Sequence, residues 1–233
     1  MSDHTVTAFD QDLAALNARV EHLGELAIAE AADAIVALLR GDTDLAAEVV
    51  ERDRKLDELE LEVEEAAVRL VALRQPVADD LRRAVSAMKM ASNLERCGDL
   101  AKNIGKRAMI VSGAEITPAL LRPIERMGDL VLKRLAAALR AYADRDLVGA
   151  GVVWSRDGEV DEHYESLFRE LLTYMMGDPR LIAAGAHLLF VAKNLERIGD
   201  HATNIAEIVH YEITGEQLVS RPKLETLGGR PAA

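Results

Sequence analysis

Cysteine is almost missing from this chain: there is one, Cys97, in 233 residues. No internal disulfide can form, which fits a reducing compartment, and no Cys/His zinc cluster appears. Aromatic residues make up only 3%. Sandwiches and barrels lean on aromatic and β-branched side chains, so this scarcity argues against a β-fold. Long apolar runs are missing too. The longest, LIAAGAHLLFVA from Leu181 to Ala192, is broken by His187 and falls short of the roughly 20 residues that cross a bilayer. Any membrane contact is expected to be peripheral, made through partners. The opening MSDHTVTAFDQDL has neither a basic nor an apolar leader segment, so no signal peptide is expected. Positive charge is in deficit: 28 Lys and Arg against 40 Asp and Glu, for a net charge of −12. Nucleic-acid affinity rests on basic residues displacing counterions, so a polyanion partner is disfavoured and a cation or a basic surface is favoured. No Gly-rich phosphate loop or nucleophile elbow is present.

What the chain does have is Ala, Leu and Val in abundance, with 49% hydrophobic and 29% charged residues. That mixture can bury a core of helices and stay soluble. Six helical segments are expected. The first runs from about Phe9 to Leu39, before Gly41. The second starts near Thr43, a possible N-cap, and stops before Pro76. The third covers about Ala78 to Ser112. The fourth starts with Thr117 as N-cap and Pro118 at the first helical position. The fifth covers about Leu147 to Met176, and the sixth Pro179 to Thr214. Residues 216–233, rich in Gly, Pro and charge, read as a loose tail. Narrow apolar stripes at alternating steps of three and four support this layout. They are Leu56, Leu59, Val63, Ala66, Leu70 and Leu73 in the second helix; Met90 to Ala108 in the third; and Val191 to Val209 in the sixth.

The chain repeats itself. NLERCGDLAKNI at 93–104 returns as NLERIGDHATNI at 194–205, with nine of twelve positions identical. The fold class is therefore all-α: two tandem, pseudo-symmetric three-helix bundles, over 1–113 and 114–215. Every expected helix also carries two carboxylates four residues apart: Glu21 and Glu25, Asp53 and Asp57, Glu95 and Asp99, Glu125 and Asp129, Asp157 and Asp161, Glu196 and Asp200. Such pairs share one helix face, beside the apolar stripe or across from it, and so are expected to look onto solvent or a groove. Like charges at this spacing cost about 0.2–0.5 kcal/mol per pair on an exposed helix. A solvated acidic face accounts for any single pair. The duplicated ERxGD pairs, with a glycine in the same register, point to a cation site instead. Carboxylate oxygens suit Mg²⁺, Ca²⁺, Mn²⁺ and iron.

The duplicated NLERCGDLAKNI and NLERIGDHATNIAE, together with RQPVADDLR at the start of the third helix, resemble the signature of PhoU proteins over about residues 9 to 215. The resemblance implies surface metal clusters, iron or zinc in some members. Its motifs fall on Asp53, Asp57, Glu95 and Asp99 in the first bundle and on Asp157, Asp161, Glu196 and Asp200 in the second. Glu25 and Asp129 extend the sites. Asn103 and Asn204 are candidate outer groups or helix-to-helix hydrogen bonders. The resemblance also implies a non-catalytic cytoplasmic role, as a negative regulator of phosphate uptake and of the phosphate-starvation response. In that role the protein couples the ATPase subunit of a phosphate ABC transporter to a sensor histidine kinase. A homodimer is the default expectation for its assembly. Two other readings stay open on the residues alone: a di-iron carboxylate enzyme, and a plain helical adaptor. The first needs Glu-x-x-His on two helices, and the one such spacing is Glu207 to His210. Cys97 sits in an apolar stripe and reads as core. His201 is a polar residue or an added ligand, and Arg96 and Arg197 read as neutralising the acidic pairs, with partner binding as the alternative.

Overall fold

The computed structural model describes residues 2–114 and 116–218, and there is no strand among them. The helices are α1 (Ser2–Arg40), α2 (Thr43–Arg74), α3 (Asp79–Val111), α4 (Pro118–Ala143), α5 (Leu147–Ser155), α6 (Gly158–Gly177) and α7 (Ile182–Thr214). A 3-10 turn at Pro179–Leu181 leads into α7. The six expected rods are all present, but the fifth is broken into α5 and α6. At the break, the Arg156 N–H reaches back to the Val153 carbonyl, and Gly158, a poor helix former, opens the next segment. α1 begins at Ser2, earlier than the periodicity indicates. Most of the expected tail, residues 219–233, lies outside the described residues.

Local chemistry sets the helix ends. Asp42, not Thr43, caps α2: its carboxylate accepts the Leu45 N–H at 3.0 Å. Pro118 opens α4 after an extended Thr117, as the sequence indicates, although the Thr117 hydroxyl makes no capping bond. α7 ends at Gly215, whose φ of +77° is open to glycine at little cost and whose N–H caps the Tyr211 carbonyl.

α1, α2 and α3 form the first bundle, and α4, α5 with α6, and α7 form the second. α3 and α7 lie side by side between them, with Arg107 opposite His187 and Asn93 opposite His201 and Asn204. These pairings run in opposite directions along the chain, so the two helices are antiparallel. α1 crosses α4 in the same manner: Leu139 packs on Gly24, and Ile35 on Gly128. One continuous core runs through both bundles. The α3 stripe of Met90, Leu94, Cys97, Ala101, Ile104 and Ala108 is buried throughout, as is its α7 counterpart from Val191 to Val209. Each buried Leu or Ile contributes about 1.5–3 kcal/mol. On α2 the stripe drifts from the expected register. Ala67 is buried in place of Ala66, and Leu73 is 64% exposed. A strict 3.5-residue stripe slips around a 3.6-residue helix over its length.

Candidate functional site

The repeated motif glycine sets the spacing of the site. A Cβ on Gly98 would collide with Leu56 of α2, so glycine lets α2 lie directly on the α3 backbone. Asp53 and Asp57 flank Leu56 on α2, while Glu95 and Asp99 flank Gly98 on α3. The contact therefore brings four carboxylates to one helix–helix groove. The second bundle repeats this with Val160 of α6 over Gly199 of α7, a Cβ there standing 3.1 Å from Val160. That contact lays the α6 turns bearing Asp157 and Asp161 against the α7 turns bearing Glu196 and Asp200.

The first cluster is more buried than helical-wheel reasoning indicates. Asp53 does not face solvent: it is 4% exposed. A lone buried carboxylate would be strongly disfavoured. Lys102, one turn past Asp99 on α3, resolves this, with its Nζ 2.5 Å from Asp53 and 2.8 Å from Asp99. Burial works against the charge on Asp99, yet the Lys102 hydrogen bond and charge hold its pKa below the usual carboxylate value. The rest of the cluster is short of positive charge. Burial, reinforced by Asp99 and Glu60, pushes Glu95 up to about 7, and burial with Asp53 nearby raises Asp57. Arg96 lies 3.6 Å from Glu95 and 3.5 Å from Asp99, in the neutralising role expected of it.

A fifth carboxylate, from α1, joins this cluster. Glu30 is 4% exposed, and its Oε2 is buried without a hydrogen-bond partner. Burial first, and Asp53 second, push it up to about 7, while Arg52 and Lys102 pull the other way. Glu25, the α1 residue singled out in the sequence, is exposed, as is Asp129 on α4. The glycines beside them sit against the opposite bundle.

The second cluster holds its charge differently. Asp157 stands at the N-cap position of α6 but does not cap it; its carboxylate accepts the Thr203 hydroxyl at 2.8 Å. Arg134 of α4 is buried behind it. The guanidinium donates to the Val153 carbonyl at 3.1 Å, to the Arg156 carbonyl, and to Thr203 Oγ1 at 3.0 Å. Glu196 pairs with Lys193. His201 is turned away from this cluster. Its Nδ1 lies 2.9 Å from the Asn93 side-chain oxygen, which requires that nitrogen to donate, and burial lowers its pKa. Asn204 donates to the same oxygen at 3.3 Å, a helix-to-helix bond, and Asn103 is exposed. Glu207 accepts the Trp154 indole N–H at 3.1 Å, and His210 bonds the Glu216 carbonyl, so the one Glu-x-x-His spacing is engaged elsewhere. Cys97 is fully buried, and burial raises its thiol pKa.

Both clusters offer hard oxygen donors, the chemistry that divalent cations require. Among the described residues, no three Asp, Glu, His or Cys side chains already stand together as a chelate. In the first cluster an ammonium sits between Asp53 and Asp99.

Periodicity pointed to neither Glu30, Lys102, Arg134 nor Thr203. The repeat did carry a signal for them. Lys102 and Thr203 are one of its three mismatches, and Glu30 and Arg134 each lie five residues past an α1 or α4 motif, at Glu25 and Asp129.

Known proteins extend this picture. The PhoU domain model matches residues 20–108 and 124–209, one segment in each bundle. A protein of Caulobacter vibrioides, named phosphate-specific transport system accessory protein PhoU homolog, is 60% identical over 228 residues, spanning 97% of this chain and 99% of that one. The chain belongs to the PhoU family. An Escherichia coli K12 member, phosphate-specific transport system accessory protein PhoU, is 35% identical over 216 residues, covering 93% of this chain and 89% of its own length. The crystal structure of PhoU from Pseudomonas aeruginosa has a TM-score of 0.86 at 37% identity, covering 89% of this chain and all of that one. The phosphate transport system regulatory protein PhoU from Streptococcus pneumoniae gives 0.84 at 30% identity, over 91% of this chain and all of its own. Among the described residues, no helix is long and apolar enough to cross a membrane.

Proposed function

We propose that this chain is an accessory regulator of phosphate transport. The observation that carries the reading is near-full-length likeness, 60% identity across 97% of the chain, to a protein of that name. In this reading it restrains phosphate uptake and the phosphate-starvation response from the cytoplasm. It docks as a homodimer between the ATPase subunit of the phosphate transporter and a sensor kinase, and it catalyses nothing itself. The duplicated carboxylate grooves are its cation sites. Asp53, Asp57, Glu95 and Asp99 would hold one ion or cluster, and Asp157, Asp161, Glu196 and Asp200 the other. Iron and zinc, and the harder Mn²⁺ and Mg²⁺, match the donors. Bound metal would add positive charge beside Glu95 and Asp57, and so fix the shape of an otherwise self-repelling surface.

Deleting the gene in its host and following an alkaline phosphatase reporter in phosphate-rich medium tests the role. High activity, returned to low by the wild-type gene, is the expected result; an unchanged reporter would argue against negative regulation. The Glu95→Ala/Asp99→Ala and Glu196→Ala/Asp200→Ala variants, placed in the deletion strain, then ask whether the grooves are needed.

A further inference from the structure

We infer that the first carboxylate groove is a self-occupied cation seat: the Lys102 ammonium holds the place of an external cation between Asp53 and Asp99, so that this groove binds metal more weakly than its counterpart in the second bundle. The inference rests on the metal-binding reading above. Three observations support it. Lys102 makes two short charge-assisted hydrogen bonds, at 2.5 and 2.8 Å, to carboxylates on two different helices, as a bridging cation would. Glu30 is 4% exposed, with a buried, unpartnered oxygen, and its charge couples to Asp53 and Lys102. The seat thus holds a donor that the lysine leaves unused. The third is the counterpart. In Lys102's register the second bundle has Thr203, a neutral hydroxyl that donates to Asp157. The buried cation there, Arg134, hydrogen-bonds two backbone carbonyls and Thr203 rather than a carboxylate. An entering metal must displace an ammonium that bridges two helices in the first groove, whereas in the second it meets the Thr203 hydroxyl bond and a Lys193–Glu196 pair within one helix, whose lysine is half exposed.

The test is titration calorimetry with Mn²⁺ and, separately, Zn²⁺. Wild type is compared with a Glu196→Ala/Asp200→Ala protein, which leaves only the first groove, and with that protein carrying Lys102→Met or Lys102→Arg. Circular dichroism checks that each is folded, and Lys102→Gln replaces the Met variant if Asp53, left without its partner, unfolds it. Removing the lysine should tighten first-groove binding about tenfold or more, since two charge-assisted bonds no longer compete. Lys102→Arg should bind as weakly as its parent. Equal affinity with and without Lys102, alongside tight binding by wild type, would overturn the internal-cation assignment and leave the metal reading standing. No uptake by any of the proteins, wild type included, would overturn both.

Discussion

In the first bundle the positive charge that answers the carboxylates is an ammonium on α3, Lys102, bonded to Asp53 and Asp99. In the second, Lys193 on α7 pairs with Glu196, and a buried guanidinium on α4, Arg134, bonds Thr203 and the backbone around the α5–α6 break. The eight motif carboxylates occupy the same positions of both repeats, so the two grooves differ in the residues around those acids. Where the first bundle has Glu30 and Lys102, the second has Arg134 and Thr203. A buried acid has been exchanged for a buried base, and an ammonium for a hydroxyl. Duplication thus preserved the carboxylate-bearing faces while the supporting residues diverged. Lys102 touches the motif carboxylates directly, whereas Arg134 braces the interrupted helix that presents Asp157.

The largest break in this comparison is expected at Arg134. Arg134→Met keeps much of the side-chain volume but removes the bonds to the Val153 and Arg156 carbonyls and to Thr203. Arg134 is 7% exposed, so those partners face loss without full replacement by water. Urea unfolding should show a loss of about 2–4 kcal/mol, the scale of an interrupted buried charge network. A loss below about 1 kcal/mol would mean that the α5–α6 break is held by packing alone.

The motif glycines should separate the bundles by a smaller margin. Alanine in place of glycine favours helix by about 0.8–1.0 kcal/mol. At Gly98 the new methyl meets the side chain of Leu56, which is 1% exposed and has nowhere to go. Overpacking of that kind costs about 1–3 kcal/mol, so Gly98→Ala should lose stability overall. At Gly199 the methyl stands 3.1 Å from Val160, a contact that a small shift relieves. Gly199→Ala should come out near neutral in thermal unfolding. Equal losses at both sites would mean that the two grooves are equally tight, against the distances here.

Much of this arrangement was legible in the sequence. The stripes of α3 and α7 and the twelve-residue repeat gave the rods, the duplication and the helices that bear the carboxylates, because periodicity and repetition report faces. The depth of each face was not legible. Asp53 sits next to the apolar stripe on a wheel, and whether it is wet or buried depends on how closely α2 approaches α3, which is a tertiary matter. Thr43 competed with Asp42 for the cap, and the choice fell to the side chain that reached the Leu45 N–H. The fifth rod reads as one helix by periodicity, since a break needs only Gly158 and a buried arginine from another helix to satisfy the freed carbonyls.

A last difference lies at the ends of α3 and α7, where Val111 of the first repeat is replaced in register by Glu212, both buried. Glu212 accepts a hydrogen bond from Arg145 at 3.0 Å and has Arg83 of α3 at 3.9 Å. Burial nevertheless outweighs these cations, and its pKa is raised above the ordinary 4.5. A carboxyl whose folded pKa is raised favours the folded state fully below its unfolded pKa, and that contribution is lost as pH rises through the folded value. Glu212→Gln mimics the protonated form. It should match wild type near pH 4 and become the more stable of the two as pH rises past 4.5, by up to about 1 kcal/mol at neutral pH. Parallel thermal unfolding across pH 4 to 8 measures the gap between the two curves. If wild type is the more stable at pH 7, the arginine pairs outweigh burial, and the second bundle has turned a core position of the first into a working ion pair. Arg145 is 42% exposed, and solvent weakens a pair of that kind, which is why the gap is expected to favour glutamine.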